Sequence, residues 1–213
     1  MLATTLVVLV LLVVAQLVLP GIAAQRLRER LSSSGTVLSV NVSAFPAVEL
    51  LWHHADHVVV RMADYRTPVT SLGSDLAGAG DAGSVDASAT QLDVGLLTLR
   101  DASLTKRGDR LTGSARVTQA DVRTAVPFID NVRPVASGGG QLTLQGTATL
   151  FGVTATVAAT VAAQGGAVIV QPDVPFGGLA TLTLFSNPHL AVEDVAASPA
   201  PGGFSLRAQG QLH

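Results

Sequence analysis

Gln141-Leu-Thr-Leu-Gln-Gly-Thr-Ala-Thr-Leu150, then Phe151-Gly152, then Val153-Thr-Ala-Thr-Val-Ala-Ala-Thr-Val161, is the stretch whose period decides the fold. Leu142, Leu144, Gly146, Ala148 and Leu150 alternate with Thr143, Gln145, Thr147 and Thr149. Val153, Ala155, Val157, Ala159 and Val161 then alternate with Thr154, Thr156, Ala158 and Thr160. Successive side chains of a strand point to opposite faces, so a period of two predicts two long antiparallel strands joined at Phe151-Gly152. Val168-Ile-Val170 follows Gly165-Gly166 as a third. The inward residues are small, and the outward ones are Thr and Gln rather than Lys and Glu. That composition predicts a long curved sheet with little surface charge.

The same period extends outward. Leu38, Val40 and Val42 alternate with Ser39, Asn41 and Ser43; Val58–Met62, Leu92–Leu99 and the set Leu111, Gly113, Ala115, Val117 also read as strands. Lys106-Arg-Gly-Asp109 supplies a charged hairpin turn between the last two. Gly73 to Ser84 is a Gly/Ala/Asp excursion between strands. Pro172 to Pro175 is a crossover, and Leu179–Phe185 reads as either strand or short helix. Leu190–Val195 and Phe204–Ala208 form a last hairpin around Pro199–Gly203.

Two short helices interrupt the pattern. Ala44–Trp52 is an apolar turn leading into one, with Pro46 near its start. Thr118-Gln-Ala-Asp121 is a near capping box, after which Val122, Ala125, Val126 and Ile129 recur at helical spacing. Pro127 kinks or ends this segment, and Pro134 stops it. The expected fold class is α+β, mostly β: a long curved antiparallel sheet with two or three short helices, preceded by an N-terminal membrane helix.

That leading helix is the run Leu2–Leu19, which carries no charge and spans roughly 27 Å as a helix, close to a bilayer's hydrocarbon core. It reads as an anchor or as a signal cut after Ala23, where Gly21-Ile22-Ala23 places small residues at the flanking positions. Ile22–Leu31 follows as an amphipathic linker helix with Ile22, Leu27 and Leu31 near one face, and its arginines can reach lipid headgroups. The expected division is 1–21 anchor or signal, 22–35 linker helix, and 36–213 one β-rich domain. No Lys or Arg precedes the run, which a translation start further upstream would also give, while Arg26, Arg28 and Arg30 follow it. By the positive-inside rule those arginines alone would put the domain in the cytoplasm.

Composition excludes several functions. A net charge of −2 selects neither nucleic acid nor an acidic polymer. Zero cysteines rule out disulfides, thiolate metal sites and a cysteine nucleophile. His53-His54-Ala-Asp56-His57 sits at a turn where helical spacing gives no shared face, so it reads as an exposed polar turn rather than a metal site. G-x-S-x-G, G-x-G-x-x-G before a helix, the P-loop and H-E-x-x-H are all absent. No catalytic residue, metal or cofactor is expected. What remains is a scaffold that either closes around an apolar ligand or packs into a solid core.

The order of features resembles the LmeA-like phospholipid-binding family of actinobacterial cell envelopes. It is carried by the apolar leader, IAAQRLRER, the strand ending in Phe-Pro within VNVSAFPAVELLW (40–52), HVVVRMADY (57–65), V-T-x-A-D-V (117–122), GGAVIVQP (165–172), and the ending from Pro188 to Gly210. The resemblance implies a fold like that of tubular lipid-binding proteins and a domain on the extracytoplasmic side of the cell membrane or envelope. It also implies phospholipid as the partner, with the membrane reached through the N-terminal segment. Family members often carry Gly and basic residues where this chain has Trp52-His53-His54, so headgroup preference is not carried over. The expectation is non-catalytic binding or transfer of phospholipid in an apolar groove lined by the sheet and the helices at 46–52 and 118–129. Phe45, Pro46, Leu50, Leu51, Trp52, Val126, Phe128 and Ile129 are the expected contacts. The alternative is a structural envelope protein with a solid core that binds a protein partner through its sheet.

Overall fold

The computed structural model describes residues 2–45, 55–68, 82–95, 97–125, 129–150, 153–173 and 181–212. The chain begins as one helix, α1 (Leu2–Ser32), which runs through Pro20 without a break. Among the described residues no helix is long and apolar enough to cross a membrane. The side chains of residues 1–15 and 17, most of the apolar run, lie outside that description. Along the rest of α1, Leu19, Ala23, Leu27 and Leu31 are half-buried at helical spacing, whereas Ile22, expected on that face, is exposed.

Among the described residues twelve strands follow, in two open sheets. The larger comprises β1 (Gly35–Ser43), β2 (Ala55–Thr67), β3 (Ala82–Val94), β4 (Leu97–Arg107), β5 (Arg110–Thr118), β11 (Leu190–Ala200) and β12 (Gly203–Leu212), in the order β1-β2-β3-β4-β5-β12-β11. The smaller comprises β6 (Ile129–Gly138), β7 (Gln141–Leu150), β8 (Val153–Gln164), β9 (Ala167–Pro172) and β10 (Leu182–Phe185), in the order β10-β9-β8-β7-β6. The β7–β8 pairing matches the sequence reading residue for residue, from Leu142 opposite Val161 to Leu150 opposite Val153. Leu182–Phe185 is strand, which resolves the segment left open above.

Three expectations change. One antiparallel sheet becomes two, and β2 pairs with β3 in parallel, the connection running through residues 69–81. Leu92–Leu99 is not one strand but the β3–β4 hairpin: Gly95 turns the chain at φ 62°, so that Val94 pairs with Leu97. At Leu38 the β1–β2 register slips, because Val37 pairs with Met62 and Ser39 with Arg61. A bulge residue loses its place in the alternation, so Leu38 points to solvent at 59% exposure instead of inward.

The two sheets meet in a core built on Val117 of β5, Val132 of β6 and Phe204 of β12, with Leu97, Leu99, Val122, Leu144, Ala197 and Leu206 packed against it. Strand β11 carries the junction to the smaller sheet by crossing its glycine-turn end. Val192 N donates to Gly166 O (2.9 Å), and Ala197 N donates to Ser137 Oγ (3.0 Å).

Helix α2 (Gln119–Ala125) ties the corner together. Its capping box is real. Asp121 N donates to Thr118 Oγ1 (3.2 Å) while Asp121 Oδ2 accepts from Thr118 N (3.2 Å) and Thr118 Oγ1 (2.5 Å). The described helix runs to Ala125 and Ile129 opens β6, so the helix expected over 118–129 does not reach Ile129; residues 126–128 lie outside the described residues. Gln119 joins α2 to β6: Val132 N donates to Gln119 Oε1 (2.9 Å), and the Gln119 amide donates back to Val132 O. Between Asp130 and Arg133 the β6–β7 register shifts, with Asn131 at φ 53°, and the glutamine amide stands in for the missing strand partner.

Candidate functional site

Burial divides the molecule unevenly. The larger sheet and the junction hold nearly the whole buried apolar set, including Val40, Val60, Met62, Val85, Ala102, Leu111, Val117, Val195 and Phe204. From residue 147 to 189, by contrast, no side chain that is described is buried. Yet β8 and β9 are almost wholly aliphatic: Val157, Ala159, Val161, Ala163, Val168 and Val170 share one face by register and all are half-exposed. Among the described residues the face is closed at its glycine-turn end, near β11 and the junction core, and along β7 as far as Gly146. Leu142, opposite Val161, is 2% exposed, whereas Ala155, six residues further along β8, faces solvent. An aliphatic sheet face that opens along its length in this way has the composition of a ligand or partner surface.

Of the expected contact residues, Phe45 and Ile129 fall within the described residues, while Pro46, Leu50, Leu51, Trp52, Val126 and Phe128 lie outside them. Phe45 is 81% exposed at the end of β1, with its backbone N–H held by Asp56 Oδ2 at 2.7 Å. Ile129 starts β6, its backbone opposite Ala148 of β7. The two therefore belong to different sheets.

Polar chemistry is concentrated on the larger sheet. His57, Ser84, Asp86 and Arg107 lie on β2, β3 and β4. His57 Nδ1 is 2.7 Å from Ser84 Oγ and His57 Nε2 is 3.6 Å from Asp86 Oδ2. The trio looks like a nucleophile, base and acid, but Ser84 Oγ donates its proton to Asp56 O at 2.9 Å, so Nδ1–H donates to the hydroxyl instead of taking a proton from it. Asp86 is committed elsewhere: Arg107 Nη2 grips both its oxygens (3.0 and 2.9 Å), which holds the carboxyl below its ordinary range. The cluster is a cross-strand staple. Among the described residues no group of His, Asp and Glu could hold a metal ion.

Lys106, expected in an exposed turn, is instead the last inward residue of β4. It is 3% exposed, flanked by Val85 and Leu111 across the strands, and its ammonium donates to the carbonyl of Ala82. The turn proper is Gly108-Asp109, with Gly108 at φ 58°. Nothing local in the sequence marked that lysine as interior. Two clefts among the described residues carry charged side chains: one of about 610 Å3 at the foot of α1 is lined by Ser33, Ser34, Asp64, Arg66, Thr67 and Pro68, and one of about 310 Å3 by Arg107, Asp109, Arg110 and Glu193. Neither offers the aliphatic lining that β8 and β9 present.

Fold and surface together define a β-rich, two-sheet scaffold that shows solvent an aliphatic sheet face beside a compact junction core. The chain belongs to the LmeA-like phospholipid-binding family, whose model matches residues 12–204. Nothing among curated proteins and nothing among solved structures matches it.

Proposed function

We propose that the protein binds phospholipid without chemical change, laying acyl chains along the open aliphatic face of β8 and β9, and holds or transfers them in the cell envelope. One observation carries this reading: strands rich in Val and Ala remain half-exposed along that whole face. Ten methylenes seated there would gain about 8 kcal/mol before ordering costs. Residues 46–52 and 126–129, with Phe45, Leu50, Leu51, Trp52, Val126, Phe128 and Ile129, would complete the groove. In this reading residues 1–21 tether or export the chain, 22–35 link it, and 36–213 form the lipid-binding domain on the extracytoplasmic side.

Native mass spectrometry of the full chain, released from mild detergent, tests the proposal. Co-purifying phospholipid, or uptake from liposomes, is expected. A clean apo mass with no uptake would sink it and favour the same face as a docking surface for a protein.

A further inference from the structure

We propose that the exposed flank of α1 docks on the surface of an anionic bilayer and so sets how the domain stands on the membrane. Val18, Ile22, Arg26 and Arg30 follow one another four residues apart, which makes them a single row on a helix. All four are exposed. The row is graded, apolar at its N-terminal half and basic at its C-terminal half. A helix in the interface sinks its apolar residues to the acyl boundary and keeps its arginines among headgroups.

The neighbouring side of α1, about 100° round the helix, is occupied. Leu19, Ala23, Leu27 and Leu31 form the half-buried seam, and β1 is the described strand that α1 contacts most. Arg26 and Arg30 flank this seam on one side and Arg28 on the other. The exposed row is therefore fixed relative to the domain, and docking it orients the domain as well.

Charge selects the occupant. Arg26, Arg28 and Arg30 make no ion pair among the described residues, and the one carboxylate nearby, Glu29, accepts a hydrogen bond from Gln25 Nε2 at 2.9 Å. Position agrees: the row continues a run, Leu2–Leu19, that carries no charge. An upright helix would lift Arg30 about 16 Å beyond Leu19, past most of a headgroup layer, so the helix tilts or bends to dock. Pro20 lies at the right place for this, since it has no N–H to give to the ladder. The tether of the preceding reading would bring this row to the bilayer, but the docking stands without it and does not use the acyl-chain face.

The chain has no cysteine, so single labels are clean. Full-length protein carrying a fluorophore at Ile22→Cys, Val8→Cys or Asp109→Cys is reconstituted into vesicles of phosphatidylcholine alone, or with about one-third phosphatidylglycerol. Iodide quenching reads exposure to water. Val8→Cys reports the tether, Ile22→Cys the docking, and Asp109→Cys is the exposed control. The expected result is that Ile22→Cys is shielded only in the anionic vesicles. That shielding should be lost in about 0.5 M salt or in R26Q/R28Q/R30Q, whose docking constant falls by about a hundredfold at roughly fivefold per arginine. Equal quenching of Ile22→Cys in both lipids, or shielding that survives the triple variant, overturns the docking even when Val8→Cys is shielded. Shielding that grows with protein density in phosphatidylcholine also overturns it, by assigning the row to a second copy. A quenched Val8→Cys removes the tether alone, and lipid-dependent shielding at Ile22→Cys then supports docking by an interfacial helix.

Discussion

Replacing Asp121 with alanine removes one carboxylate and unfastens three elements. Its oxygens accept from Arg100 Nε and Nη2 on β4 (2.9 and 2.8 Å) and from the backbone and hydroxyl of Thr118 at the end of β5, while Asp121 itself sits in the first turn of α2. The carboxylate is 7% exposed, but the arginine is 45% exposed, so solvent screens the pair and it contributes about 1–2 kcal/mol instead of a fully buried pair's value. Loss of the capping interaction adds about 1 kcal/mol. The D121A chain should therefore be less stable by about 2–3 kcal/mol, lowering Tm by about 4–12 °C for a domain of this size. D121N, which keeps an acceptor for Thr118 but no charge, should lose about half as much. Arg100 first, then Thr118, holds the Asp121 carboxyl below its ordinary value. A depressed folded pKa gives stability that is fully present above the unfolded value near 3.9 and is lost as pH falls through the folded value. Thermal unfolding followed by circular dichroism should thus show a wild-type advantage that is flat from about pH 5 to 8 and narrows below about pH 4. A D121A midpoint within about 1 °C of wild type at neutral pH, or an advantage that grows on acidification, would refute the account.

Val117→Ala, at the most buried position of the junction core, should cost about 2–3 kcal/mol in urea unfolding; a smaller loss would mean that the two sheets are not held there. Gly203→Ala places a Cβ 1.9 Å from Val117 O, a backbone atom that cannot move aside, and should destabilise by at least about 3 kcal/mol or prevent folding. Val157→Thr with Val161→Thr keeps shape on the half-exposed face, so stability should change by less than about 1 kcal/mol while phospholipid loading drops; unchanged loading would remove β8 from the site. Trp52→Ala should likewise lower loading as read by native mass spectrometry, and full loading would strike that residue from the groove.

Where the chain alternates without interruption, the structure was legible. β7 and β8 pair as their period implies because no bulge intervenes and each face is chemically uniform. The Thr118–Asp121 capping box was equally readable, since its hydrogen bonds span three residues and depend on little else. Failures came where the deciding interaction is distant. Leu92–Leu99 looks like continuous strand, and only the closure of β3 on β4 shows Gly95 to be the turn. Alternation carries no direction, so it could not mark β2 and β3 as parallel. Nor could it show that the period of two serves two sheets. Of the candidate site, the aliphatic β8–β9 composition was visible but its exposure was not, because inward and outward are defined only by what covers each face.

That uneven cover has a consequence for how the molecule works. The junction core, the Arg100–Asp121 pair and the Asp86–Arg107 staple all lie on the larger sheet or at its seam with the smaller one. The smaller sheet is fastened at its glycine-turn end by β11, while the far ends of β7 and β8 carry Thr149, Thr154, Ala155 and Thr156 in solvent. The aliphatic face of β8 therefore starts beside the junction core, where Leu142 and Leu144 lie opposite Val161 and Ala159, and opens away from it toward Ala155. In the proposed reading the apolar occupant seats at that open end. The face's side chains are aliphatic and uncharged, with Thr and Gln on the reverse side of the same strands, which suits an occupant that would otherwise lie in a bilayer. With α1 docked through its arginines, the open face would be presented at a fixed orientation to the membrane that supplies the lipid.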